Sequence, residues 1–83
     1  HIVAGTIFII YEQKRSDIRN HIAKIELQHQ NLILSSSAYY LSGGITLQVS
    51  TVLGEAKNLT ALADMLTSIK GIRHGKLLMS RAE

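Results

Sequence analysis

The chain contains no cysteine among its 83 residues. That excludes a disulfide framework and any thiolate metal site. It also has no apolar run near the roughly 18 residues that a membrane span needs. Its longest run, Ile7 to Tyr11, is of strand length. No block of five like charges occurs. Lysines and arginines are scattered from Lys14 to Arg81, so the net charge of +3 reads as a mixed, solvated surface rather than a stripe that tracks phosphates. The chain opens on His1, without a methionine or a signal-peptide pattern. It reads as a fragment, or as native residues preceded by a tag remnant, of a cytoplasmic protein with no membrane partner.

Catalytic patterns are equally scarce. The six acids are Glu12, Asp17, Glu26, Glu55, Asp64 and Glu83, and none stands at motif spacing with a histidine and a nucleophile. Gly43-Gly44 lacks the lysine and helix that complete a phosphate-cradling loop. The chain is therefore not read as an enzyme. The histidines His1, His21, His29 and His74 include no His-x-His pair, so solvent-facing or core-edge roles outweigh a metal site built from them. RNA-recognition modules need aromatics on both central strands. Here Phe8 lies on the first strand and Tyr39 and Tyr40 on the second, while the third has none.

What is present is enough for one domain, residues 1–83. A chain of this length buries about 60–65% of its unfolded surface, and its hydrophobic content is 46%. Val3 to Tyr11 is rich in β-branched and aromatic residues. Both of its alternating sets are apolar, Ile7, Ile9 and Tyr11 against Phe8 and Ile10, which marks a central strand. Ser16 offers an N-cap hydroxyl and Asp17 a first-turn charge. Ile18, Ile22 and Ile25 then recur at helical spacing, widened by Ala23 and Leu27, and the helix ends near His29 to Asn31. Leu32 to Gly54 reads as a hairpin turning at Gly43-Gly44, since glycine tolerates positive φ. A two-residue turn places Tyr40 opposite Leu47, Ala38 opposite Val49, Ser36 opposite Thr51 and Leu34 opposite Leu53. Gly54-Glu55 ends the strand. Ala56, Leu59, Leu62, Ala63, Leu66 and Ile69 trace a second helix, with Lys70 in its last turn and Gly71 at the left-handed C′ position. Ile72 to Ser80 is the last strand, where Gly75 permits a bulge or a close backbone approach.

The order β-α-β-β-α-β, with right-handed crossovers, puts the first and third strands at the centre of the sheet. The expected fold is α+β: a ferredoxin-like split βαβ domain, with a four-stranded antiparallel sheet in order 4-1-3-2 and two helices on one face. The opposite face is bare, so the domain is expected to form homo-oligomers through its sheet or strand edges.

The segment LADMLTSIKGIRHGKL, Leu62 to Leu77, resembles the end of the regulatory domain of nickel-responsive transcriptional regulators, in which a GVRHG-like turn follows the helix. GTIFIIYE is similar to that family's first strand and IELQHQNLILSS to its helix-to-strand junction, and the hairpin aligns without gaps. The resemblance implies an ACT-like domain of a cytoplasmic repressor that tetramerises. It also implies that DNA is bound by a ribbon-helix-helix domain preceding this chain. The family's nickel ligands are one histidine at the end of the first helix, two in a His-x-His on the second strand, and a cysteine early in the third. These positions fall on Leu27, Ala38, Tyr40 and Thr46, with His29 matching an additional family histidine. The resemblance thus implies a lost high-affinity nickel site. No cofactor is assigned, although nickel or another divalent metal stays open. In its place stands either interface packing or a small-ligand pocket made of Leu27, His29, Ala38, Tyr40 and Thr46. Lys70 and Arg73 lie where the family uses basic residues on its DNA-facing side. The alternatives are a stand-alone regulator domain of the iron-only hydrogenase system type and an amino-acid-binding ACT module, the latter without the usual glycine in the Glu12-Gln13-Lys14 loop.

Overall fold

The computed structural model describes residues 1–82. Its elements are β1 (Ile2–Glu12), α1 (Ser16–Gln28), β2 (Ile33–Leu41), β3 (Ile45–Glu55), α2 (Ala56–Thr67) and β4 (His74–Arg81). The sheet order is β2-β3-β1-β4, with every neighbouring pair antiparallel. This is the expected order seen from the opposite edge. Both helices lie on one face, and the expected α+β class and split βαβ topology are present.

The core follows from alternation in β1. Ile7, Ile9 and Tyr11 are at most 2% exposed and face the helices. Against them pack Ile18, Ile22 and Ile25 of α1, and Leu59, Leu62, Ala63 and Leu66 of α2, with Val52 of β3 and Ile69 beyond α2. Each such aliphatic side chain contributes on the order of 1.5–3 kcal/mol by leaving water. At Gly75 the close approach expected from sequence is present: a Cβ there would lie 2.5 Å from the Thr67 methyl carbon. Glycine at this point lets α2 sit directly on β4.

The hairpin departs from the two-residue turn. Leu41 pairs with Ile45, leaving Ser42, Gly43 and Gly44 as a three-residue loop. Gly43 and Gly44 both have positive φ, 82° and 73°. Tyr40 therefore faces Thr46, Ala38 faces Gln48 and Ser36 faces Ser50. The slip of one residue exchanges the faces of β3. Thr46, Gln48 and Ser50 turn toward the helices, while Leu47 and Val49 turn to the open face. Leu34 is the extra residue of a register shift between Ile33 and Ser35, so it does not face Leu53.

Smaller corrections concern element ends. Ser16 is the first helical residue, not the cap; Arg15 holds the cap position without a side-chain cap bond, and pairs with Asp17 instead. Ala23 and Leu27 do not widen the buried stripe, and Leu27 is 68% exposed. Ala56 is likewise exposed, and β3 runs through Gly54 to Glu55, with α2 beginning at the very next residue. Because α2 ends at Thr67 and is capped by Ser68, Lys70 lies outside its last turn, and Gly71, at φ 102°, turns the chain beyond the cap. β4 starts at His74 rather than Ile72, and of its apolar trio only Leu77 is half-buried; Leu78 and Met79 are exposed.

Two expectations follow. Leu59→Ala, at a fully buried position, should cost about 2–5 kcal/mol in urea unfolding, whereas Leu27→Ala should stay within about 0.5 kcal/mol. The Arg15 guanidinium also holds the Asp17 carboxyl down to about 2, below its ordinary 3.8. A depressed carboxylate stabilises the fold above its unfolded value and loses that contribution as pH falls through the folded one. An NMR titration should give Asp17 a midpoint near 2, and Arg15→Ala should raise it.

Candidate functional site

Within one chain, the positions singled out by the resemblance are not gathered at one point. Tyr40 and Thr46 are a cross-strand pair, with Tyr11 of β1 on the far side of Thr46. Ala38 lies one pleat away, opposite Gln48. Leu27 is exposed at the end of α1, and His29 caps that helix. The Nδ1 of His29 lies 2.8 Å from the Ile25 carbonyl oxygen, a contact that takes an N–H there, so this ring nitrogen is occupied locally. Leu27 and Ala38 carry no donor atom, and Tyr40 and Thr46 carry only hydroxyls. This is not the nitrogen and sulfur set that nickel takes in a planar site. Among the described residues, no three histidine, cysteine or acidic side chains are grouped for a metal.

The same surface instead holds a polar cluster that sequence reasoning missed. The Glu26 carboxylate accepts hydrogen bonds from Ser50 Oγ at 2.6 Å, Ser36 Oγ at 3.2 Å and Gln48 Nε2 at 3.3 Å. Gln48 Nε2 also reaches Ser36 Oγ at 3.0 Å, and the Tyr11 hydroxyl donates to Gln48 Oε1 at 3.1 Å. Burial pushes the Tyr11 phenol up, partly offset by Arg19. Helical spacing sets Glu26 beside, not within, the apolar stripe of Ile18, Ile22 and Ile25. It is half-buried because β3 presents Gln48 and Ser50, not Leu47 and Val49, beneath it. The signal for this lay in the loop length. With three residues in the turn, Ser36 and Ser50 become partners. Thr46, 1% exposed, completes the row with its Oγ1 unpartnered.

A second concavity, of about 420 Å³, lies at the end of the sheet. Glu12, Gln13 and Lys14, which follow β1, line it together with Gly43, Gly44 and Arg73. Glu12 is paired with Arg73 at 3.2 Å and Lys14 at 3.5 Å. Lys70, also suggested by the resemblance, does not line this cleft, so it and Arg73 do not form one site there. The open face of the sheet carries a third, wholly apolar hollow of about 370 Å³, lined by Thr6, Phe8, Ile10, Leu47 and Val49.

The hydrogen bond from Arg73, aided by Lys14, holds the Glu12 carboxyl below its ordinary range. Arg73→Ala should therefore raise the Glu12 midpoint in a carboxyl-detected NMR titration and leave Asp17, whose partner is Arg15, unchanged.

Comparison with known proteins fits this architecture. The family described as the NikR C terminal nickel binding domain matches residues 4–80. A protein of Pyrococcus horikoshii named "Putative nickel-responsive regulator" is 42% identical over 80 residues, covering 94% of this chain and 56% of the relative. One of the same name from Pyrococcus furiosus is 37% identical over 78 residues with the same coverages. The chain thus spans little more than half the length of these relatives. Among solved structures, an uncharacterized protein of Thermotoga maritima superimposes with a TM-score of 0.84 at 15% identity, over 98% of this chain and all of that one. The ACT domain of a GTP pyrophosphokinase of Chlorobium tepidum gives 0.75 at 20% identity, over 94% of this chain and all of that one. These two likenesses concern the fold, which is ACT-like. By the match over residues 4–80, the chain belongs to the NikR C-terminal nickel-binding-domain family.

Proposed function

We propose that this chain is the oligomerising regulatory domain of a transcriptional regulator related to the nickel-responsive ones, with the family's high-affinity nickel site degenerate. The observation that carries the assembly half is the apolar hollow formed by Phe8, Ile10, Leu47 and Val49 on a sheet face that no helix covers. An apolar face of this kind marks an interaction surface, and a second copy offers the same face by symmetry. The assembly is a homodimer or homotetramer. The sensing half rests on donor chemistry: Leu27, Ala38, Tyr40 and Thr46 supply no imidazole and no thiolate. DNA contact belongs to a separate N-terminal domain, a reading supported by the 56% coverage of the relatives. The domain acts by regulation and not by catalysis, in the cytoplasm.

A second reading is favoured by one observation. The cleft of Glu12, Lys14, Arg73 and the Gly43-Gly44 turn offers both signs of charge to a small molecule, as an ACT-like ligand module would.

Sedimentation velocity tests the assembly. A dimer or tetramer at micromolar concentration is expected, and Leu47→Asp with Val49→Asp should shift it toward monomer. A monomeric wild type would overturn the reading. Calorimetry with Ni²⁺ should show no micromolar, one-per-chain binding, and such binding would refute the lost site.

A further inference from the structure

We propose that β2 is an edge shaped to pair with β2 of a second copy, antiparallel across a twofold axis at Ala38. The inference rests on the assembly reading above and adds to it a surface distinct from the open sheet face.

The first observation is position. β2 ends the sheet order and neighbours β3 alone. An outer strand turns the N–H and C=O groups of alternate residues away from its neighbour, and another strand can pair with these groups. Edges are commonly blunted by charge, by proline or by a covering element. From Ile33 to Leu41, β2 contains no charged residue and no proline. Every residue from Leu34 onward is exposed. The opposite edge is treated differently: β4 carries His74, Lys76 and Arg81, and α2 sits directly on it at Gly75. The contrast selects β2 as the edge that is left free.

The second observation is shape, and it names the partner. The continuous register of β2 runs from Ser35 to Leu41, since the irregularity between Ile33 and Ser35 ends it. Within that run Ser35, Ser36 and Ser37 are small, Ala38 is the midpoint, and Tyr39, Tyr40 and Leu41 are large. Reversed on itself about Ala38, the strand sets Leu41 beside Ser35, Tyr40 beside Ser36 and Tyr39 beside Ser37. Facing Cβ atoms stand about 4.5–5.5 Å apart, so each large side chain gains room from a small one. The pairs also agree in face. Ser36 and Tyr40 share the helix side with Ser50 and Thr46, whereas Ser37 and Tyr39 share the open side with Val49 and Leu47. A twofold axis requires one residue to meet its own copy, and Ala38 brings only a methyl group to that point. A strand of unrelated sequence does not offer this gradient in reverse; a second copy always does.

The third observation is exposed apolar surface. Tyr39 is 53% and Tyr40 66% exposed on this edge. Pairing lays each ring along the neighbouring strand while its hydroxyl stays in water.

The symmetry has a consequence for size. One isologous surface closes at a pair. The axis at Ala38 stands perpendicular to the sheet, whereas an axis relating two open faces lies parallel to it. Two such axes at right angles generate a closed tetramer, and the edge alone gives a dimer with a doubled sheet.

Disulfide mapping tests the register. The chain has no cysteine of its own, so each substitution introduces a sole thiol. Ala38→Cys should cross-link to its own copy under mild oxidation, because facing positions of a strand pair come within disulfide reach. Ser36→Cys alone and Tyr40→Cys alone should not, since each would stand about 14 Å from its own copy; mixed together, the two should cross-link. On a non-reducing gel the Ala38→Cys dimer should exceed that of Ser36→Cys at least about tenfold, and circular dichroism confirms that each variant folds. Ala38→Lys sets two cations face to face and should lower the mass seen in sedimentation velocity. No dimer from Ala38→Cys, equal dimer from Ala38→Cys and Ser36→Cys, or an unchanged mass for Ala38→Lys overturns the inference. The two readings fail separately. An oligomer that Ala38→Lys leaves intact defeats the edge and keeps the assembly. An Ala38→Cys cross-link in a protein whose mass ignores Leu47→Asp with Val49→Asp defeats the open face and keeps the edge.

Discussion

Two helices cover only one side of a four-stranded sheet, and everything else in this molecule is arranged around that limit. The side chains with almost no exposure, Ile7, Ile9 and Tyr11 from the central strand and Leu59, Leu62 and Leu66 from α2, all meet in the single layer between sheet and helices. The opposite side of β1 is no less apolar, with Phe8 and Ile10. A strand built this way is suited to cover on both faces, and the chain itself supplies cover for one. β2 is less protected still. From Leu34 to Leu41 every residue is exposed, including Leu34, Tyr39 and Tyr40. It is an outer strand with large apolar side chains and no proline or lysine to blunt it.

Polarity changes in an orderly way across the covered face. Along one row, from centre to edge, the residues are Ile7, Ser50 and Ser36; along the next, Ile9, Gln48 and Ala38; along the third, Tyr11, Thr46 and Tyr40. The interior is hydrocarbon over β1 and becomes hydroxyl and amide over β3. Glu26 reaches down at that boundary, and its carboxylate survives partial burial because three donors meet it. Beside this boundary, the His29 ring sits against its own helix, its Nδ1 at the Ile25 carbonyl oxygen.

Sequence pattern alone carried the topology, the helix-facing stripe of α1 at Ile18, Ile22 and Ile25, and the role of Gly75. These are legible because periodicity reports the face that a residue presents, and because a missing Cβ reports contact. The hairpin register was not legible in the same way. Ser42-Gly43-Gly44 permits a turn of two or three residues, and propensity does not distinguish them. The choice is made by tertiary packing: only the three-residue loop places Ser50 and Gln48 where Glu26 can bond them and leaves Leu47 and Val49 on the apolar open face. The polar cluster depended on that register, so it stayed hidden along with it. Leu27 was misplaced for a related reason. Helical spacing allowed it into the buried stripe, but α1 ends over the uncovered edge, where nothing packs on it.

β3 hands over to α2 with no residue between them, whereas every other junction has at least three. Slack in a polypeptide resides in its connections, and this connection has none. The strand that bears Thr46, Gln48 and Ser50 is therefore coupled to α2 as a push-rod is to its lever. Any displacement of β3 along its own axis must be passed into the helix or resisted by the whole layer beneath it, in which α1 is itself held to the strand by the bonds of Glu26 to Gln48 and Ser50.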